Sequence, residues 1–133
     1  MHIVLVGLNH RSAPVEVRER LVFPRDRLAG VFARLRTEVG LQESAILSTC
    51  NRVEIYATTP LLNGTVERLQ QFLSEHGQLE LSGLTPQLYS CIEPQSIQHL
   101  FRVAGGLDSM VLWETELLHQ VKDADELARV HGT

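Results

Sequence analysis

The chain has 133 residues, 44% of them hydrophobic and 21% charged, with a formal net charge of -4. That is enough for one domain with a sizeable core and too little for a catalytic domain plus a full dinucleotide-binding domain, and the composition excludes a disordered chain. No apolar run approaches the roughly 20 residues of a membrane helix, the opening Met1 to Gly7 is too short for a signal-peptide core, and the acidic balance gives no general attraction for a polyanion. Residues 2 to 8 read as a buried strand, closed by the turn material Asn9 to Pro14. Ser12 is expected to cap a short helix over Val15 to Leu21, with Pro14 in its first turn. A second helix is predicted over residues 25 to 39, with Leu28, Val31, Phe32, Leu35 and Val39 at helical spacing and Gly40 as its stop. Six arginines here, Arg18, Arg20, Arg25, Arg27, Arg34 and Arg36, alternate with Glu16, Glu19, Asp26 and Glu38. Such mixed signs mark a solvated helix face with local ion pairs.

Strands are predicted at residues 44 to 48 and 52 to 58, joined through Cys50. Pro60 and Asn63-Gly64 mark a loop, and a helix opens at Thr65, presents Val66, Leu69, Phe72 and Leu73 on one face, and ends at His76-Gly77. Residues 87 to 92 read as a further strand. From Pro94 to the end the pattern reads as helical, interrupted by Gly105-Gly106 as the internal hinge candidate. Four strands alternating with two helical segments predict an α+β fold: a ferredoxin-like split βαβ antiparallel sheet over about residues 1 to 93, with a C-terminal helical annex over about 94 to 133. A cytoplasmic protein is predicted, with Cys50 and Cys91 as free thiols.

Cys50 carries the chemistry. Its segment Ser48-Thr49-Cys50-Asn51-Arg52-Val53-Glu54 breaks an apolar run and then resumes strand-like alternation, which puts a thiol at a turn beside a guanidinium that favours thiolate. The competing reading is a small buried apolar residue at a strand end, as free cysteines often are. Two other segments join it. Gly7-Leu8-Asn9-His10-Arg11-Ser12-Ala13-Pro14 gathers an amide, an imidazole, a guanidinium and a hydroxyl at the end of the first strand, and His99 lies on a helix before Gly105-Gly106-Leu107-Asp108-Ser109. A metal site from His10, His99 and His119 is disfavoured by spacing, and none is predicted.

Together, from Gly7 to about Ala124, these motifs resemble the N-terminal catalytic domain of the glutamyl-tRNA reductases, which make glutamate-1-semialdehyde for tetrapyrrole (heme) synthesis. The resemblance implies that Cys50 attacks the ester of glutamyl-tRNA(Glu) and that NADPH reduces the resulting thioester. It makes Cys50 and His99 the catalytic pair, His99 activating the thiol or protonating the leaving ribose hydroxyl. Arg52 would bind the glutamate side-chain carboxylate, Thr49 and Ser109 the glutamyl moiety, and Asn51 would hold the loop. Glu114, Glu116 and Gln120 are carried over as further substrate-side positions. A Rossmann domain for NADPH and a helical dimerisation domain are expected to follow in the family, with a homodimer and glutamate-1-semialdehyde aminotransferase as partners. By itself this stretch is expected to act at most as an esterase.

This sequence departs from the family after Leu112. The usual Gly-Glu-Pro-Gln-Ile-Leu-Gly-Gln-Val-Lys is here Trp113-Glu114-Thr115-Glu116-Leu117-Leu118-His119-Gln120-Val121-Lys122. Trp113 fills space a glycine leaves open, and a carboxylate at Glu116 would repel the glutamate carboxylate. Arg11 and Ser12, where the family more often has lysine and threonine, keep the charge and the hydroxyl. The changes around Trp113 leave a second reading: a non-catalytic regulatory module of the same fold that binds a partner or heme.

Overall fold

The computed structural model describes residues 2–41, 43–60, 62–104 and 111–113. Two central strands organise it. In β1 (His2–Asn9) every residue from Ile3 to Leu8 is buried, and in β3 (Arg52–Thr59) so is every residue from Val53 to Thr59. Strands covered on both faces lose the polar half of their alternation, which is why β1 reads as one apolar run. They pair antiparallel from His2 opposite Thr59 to Asn9 opposite Arg52. β2 (Ser44–Ser48) runs antiparallel to the other side of β3, and β4 (Tyr89–Ile92) to the other side of β1.

The sheet order is β4-β1-β3-β2-β5. Its first four strands have the antiparallel split βαβ arrangement that the sequence predicts. The fifth strand is a correction. Val111–Trp113, predicted as helical, forms β5 on the free edge of β2, with Ala45 opposite Trp113 and Leu47 opposite Val111. Three apolar residues carry no decisive period, so the open edge decides their state. Of the annex, α5 (Gln95–Ala104) is described; Gly105-Gly106, Ser109, Glu114, Glu116, His119 and Gln120 lie outside the described residues.

One face of the sheet carries α1 (Val15–Leu21), α2 (Leu28–Arg34) and α3 (Thr65–Gly77). Val4, Val6, Leu8, Ile46, Val53 and Ile55 pack there against Leu21, Leu28, Val31, Leu69, Phe72 and Leu73. The predicted helix over 25 to 39 is three pieces: a 3-10 turn at Arg25–Arg27, then α2, then a π-helical turn at Leu35–Val39. Gly40 ends it in the left-handed conformation (φ 84°), and Leu41 N–H reaches back to the Leu35 carbonyl at 3.0 Å. Leu35 and Val39 stay buried through the widened turn, so the apolar face survives although the regular helix does not.

Ser12 does not cap α1. Pro14 holds the N-cap position without a side-chain bond, and the Ser12 hydroxyl instead accepts from Asn9 N–H at 2.9 Å. Between α3 and β4 lie α4 (Leu81–Leu84) and a 3-10 turn at Thr85–Gln87, which the sequence pattern does not predict. They are too short for a helical period to show, and they delay the strand from residue 87 to Tyr89.

The second face of the sheet is covered by α5. Ile3, Leu5, Ala45 and Tyr56 are buried there with Tyr89, Cys91 and Ile97 packed on them. Ser96 Oγ donates to the Ile3 carbonyl at 2.9 Å, and Ile3 N–H donates to Glu93 Oε2 at 2.8 Å. These bonds fix where α5 crosses β1. His99, one turn beyond Ser96, therefore faces the sheet at a set position.

Candidate active site

The hairpin from β2 to β3 presents Cys50. Ser48 pairs with Val53, and Thr49 N–H donates to the Arg52 carbonyl at 2.8 Å, which leaves Cys50-Asn51 as a two-residue loop. Neither residue has positive φ, so this is not one of the mirror-image turns common in tight hairpins. The Thr49 hydroxyl takes over instead, accepting from Asn51 N–H and Arg52 N–H, each at 3.1 Å. Ser48 Oγ accepts from Phe23 N–H at 3.1 Å and ties the hairpin to the helical face. Cys50 stands exposed at the tip as a free thiol, and no hydrogen bond joins it to another described residue.

The β1–α1 turn lies beside this tip, because Asn9 is the partner of Arg52 in the sheet. Asn9 Oδ1 accepts from Arg11 N–H at 2.8 Å and Ser12 N–H at 3.1 Å, closing the turn with a side chain. His10 and Arg11 are exposed on it.

Beneath the tip lies a polar cluster on the α5 face. Period-two alternation along β3 puts Arg52, Glu54 and Tyr56 on that face. Glu54 is fully buried, and four side chains meet its carboxylate. Tyr56 OH donates to Oε1 at 2.9 Å, while Oε2 receives Tyr89 OH at 2.5 Å, His99 Nε2 at 2.6 Å and Arg52 Nη1 at 3.4 Å. An isolated buried carboxylate costs several kcal/mol, so only a set of donors like this one makes the position tolerable. Burial first, and then the charge of Glu54, pushes both tyrosine hydroxyls far above their usual range; the Arg52 charge acts the other way on both. Both remain protonated donors at any working pH.

Gly7 makes the cluster possible. It is the β1 partner of both Glu54 and Tyr89, so it lies between them in the sheet. A Cβ there would stand 2.5 Å from the Val53 carbonyl oxygen and 2.8 Å from Glu54 Cγ. The missing side chain is the space through which Tyr89 reaches Glu54.

Of the residues picked out in the sequence, Arg52 and His99 are brought together, both through Glu54. Cys50 sits two residues before Arg52, at the hairpin tip. Thr49 is spent largely on shaping that hairpin, and Asn51 is exposed beside the thiol. Ser109, Glu114, Glu116 and Gln120 lie outside the described residues. Glu54, Tyr56, Tyr89 and Gly7 received no role from the sequence. A signal was present for one of them: a glutamate between Val53 and Ile55 in a strand buried on both faces must find donors. Among the described residues, no group of three His, Cys, Asp or Glu side chains is arranged to hold a metal ion, and no helix is long and apolar enough to cross a membrane.

Comparison with known proteins gives this geometry its relatives. The family model for the N-terminal domain of glutamyl-tRNAGlu reductase matches residues 6–133. The chain is 46% identical over 132 residues to a glutamyl-tRNA reductase of Gloeothece citriformis, covering 99% of this chain and 31% of that protein. It is 45% identical over 129 residues to the one of Synechococcus elongatus, covering 97% and 30%. A solved structure, the glutamyl-tRNA reductase from Methanopyrus kandleri, superposes with a TM-score of 0.55 at 33% identity, over 98% of this chain and 29% of that one. The chain thus spans about a third of the length of these relatives. On matched length, identity and fold alike, it belongs to the family of glutamyl-tRNA reductase N-terminal domains.

Proposed function

We propose that this chain performs the acyl-transfer half of a glutamyl-tRNA reductase reaction. Cys50 attacks the carbonyl carbon of the ester that joins glutamate to the terminal adenosine of tRNA(Glu). A carbon–sulfur bond forms, the carbon–oxygen bond to ribose breaks, and the thiol proton ends on the departing ribose oxygen. An ester is a poor hydride acceptor, whereas a thioester has a more electrophilic carbon and a better leaving group. The observation that carries the reading is the exposed thiol of Cys50 on a braced two-residue tip, with Arg52 leading from that tip to the buried Glu54 and its half-buried partner His99.

In this reading His99 carries the proton between thiol and ribose oxygen. Arg52 receives the substrate's side-chain carboxylate. Among the described residues its Nε is buried without a partner and it touches Glu54 only at 3.4 Å, so the guanidinium keeps donors for a carboxylate. The Thr49 hydroxyl already accepts twice and retains its own proton to donate to the glutamyl moiety, and Asn51 stands beside the thiol. Ser109, Glu114, Glu116 and Gln120 enter from the resemblance alone.

The family implies NADPH as the hydride source that would give glutamate-1-semialdehyde for tetrapyrrole synthesis. The described residues do not fit it: the turn after β1 is closed by the side chains of Asn9 and Ser12, not opened by glycines around a pyrophosphate. No described residue is assigned to the nucleotide, and no hydride step to this part of the chain. A homodimer, the aminotransferase that takes up the aldehyde and a cytoplasmic location belong to the same reading.

The test is cleavage of glutamyl-tRNA by the full-length protein without NADPH, beside its Cys50→Ser variant, with the acyl-enzyme sought by mass. Cys50-dependent cleavage and a glutamyl adduct on Cys50 are expected. Undiminished cleavage by Cys50→Ser would overturn the reading.

A further inference from the structure

We infer that Glu54 is the positioning residue of this site, and that its contact with His99 decides which imidazole nitrogen carries the hydrogen. His99 Nε2 lies 2.6 Å from Glu54 Oε2. The same carboxylate already receives hydrogen bonds from two tyrosine hydroxyls and a guanidinium, the pattern of an ionised group that accepts at both oxygens. An ionised carboxylate has no proton to give to His99. The hydrogen of the short contact therefore belongs to His99, on Nε2. In the neutral ring this puts the lone pair on Nδ1, the nitrogen that would take the thiol proton in the proposed reaction.

The arrangement also explains how a carboxylate can sit beside a site for an anionic amino acid. Glu54 is fully buried and its two oxygens are occupied by donors from β3, β4 and α5, so its charge is compensated before substrate arrives. Tyr56 holds Oε1, and Tyr89, His99 and Arg52 share Oε2. Glu54 touches no reacting atom in this scheme. It acts by holding His99 and by its contact with Arg52.

The catalytic consequence rests on the proposed thioester reading; the tautomer does not. The experiment is therefore twofold, on the full-length protein. Nitrogen NMR of labelled histidine should show His99 protonated on Nε2 and bare on Nδ1. In Glu54→Gln the side-chain amide can donate to Nε2 and so move the proton to Nδ1; kcat for glutamyl-tRNA cleavage should fall on the order of 10³-fold while KM changes less than about three-fold, as expected when a wrong tautomer disarms a base. Glu54→Asp, which keeps the acceptor, should retain the Nε2–H form and recover part of kcat. A native His99 protonated on Nδ1 overturns the inference without any variant having to fold. A Glu54→Gln protein of unchanged kcat overturns it as well. Cleavage that survives Cys50→Ser defeats the thioester reading instead, and leaves the tautomer to be decided by its own spectrum.

Discussion

His99 and Glu54, 45 positions apart, meet at 2.6 Å across the face of the sheet that α1 to α3 leave uncovered. The contact depends on α5 being pinned over β1 by Ser96 and Glu93, and on Gly7 leaving room for Tyr89 at the same carboxylate. Each support can be removed separately, so the relationship generates distinct expectations.

Gly7→Ala should destabilise the fold and disturb the site together. The new methyl group would meet backbone at the Val53 carbonyl, which cannot swing aside as a flexible side chain can. Overpacking of this kind costs about 1–3 kcal/mol. Urea unfolding should show that loss; an alanine variant of native stability would mean β1 and β3 can separate there freely.

The two buried tyrosines predict a specific alkaline limit. Burial, and after it the Glu54 charge, raises both hydroxyls above the reference value of 10.0. Their folded-state values exceed the unfolded ones, so the stabilisation is complete below about pH 10. Above it the unfolded chain sheds two protons that the native state keeps, and stability should drop by about 1.4 kcal/mol per pH unit for each tyrosine. Tyr89→Phe should halve their joint contribution to this slope. An unaltered slope in unfolding measured between pH 10 and 11 would show that Tyr89 ionises in place.

Thr49→Val removes the oxygen that accepts from Asn51 N–H and Arg52 N–H while keeping the shape of the side chain. Neither loop residue has the positive φ that would let the backbone close the turn alone, so the tip should loosen. A stability loss of about 1 kcal/mol is expected, with a larger fall in the proposed glutamyl-tRNA cleavage than stability explains. Thr49→Ser should restore both. Cleavage by Thr49→Val at the native rate would mean that the thiol needs no braced hairpin.

Cys50→Ala should leave stability within about 0.5 kcal/mol of native, since the thiol is exposed and unbonded. Thermal unfolding checks this directly. A large loss would assign Cys50 to the core and restore the structural reading of its sequence.

The local features of this protein were legible in its sequence. An apolar run gave β1, alternation and turn residues gave β2 and β3 nearly to the residue, and the break at Thr49 to Arg52 announced the tip, because hairpins and strand faces are set by neighbours along the chain. The family followed from the same short motifs. What the sequence could not give was anything set by partners distant along the chain. Val111–Trp113 became a strand because β2 offered an unpaired edge, and the predicted helix over 25 to 39 widened into a π turn while its buried residues kept their places on the core. Glu54 looked like one more polar residue in an alternating strand. Its role exists only where Tyr89 from β4 and His99 from α5 converge on it past Gly7, and that convergence is a property of the folded sheet, since a buried charge takes its meaning from the donors that the tertiary structure brings to it.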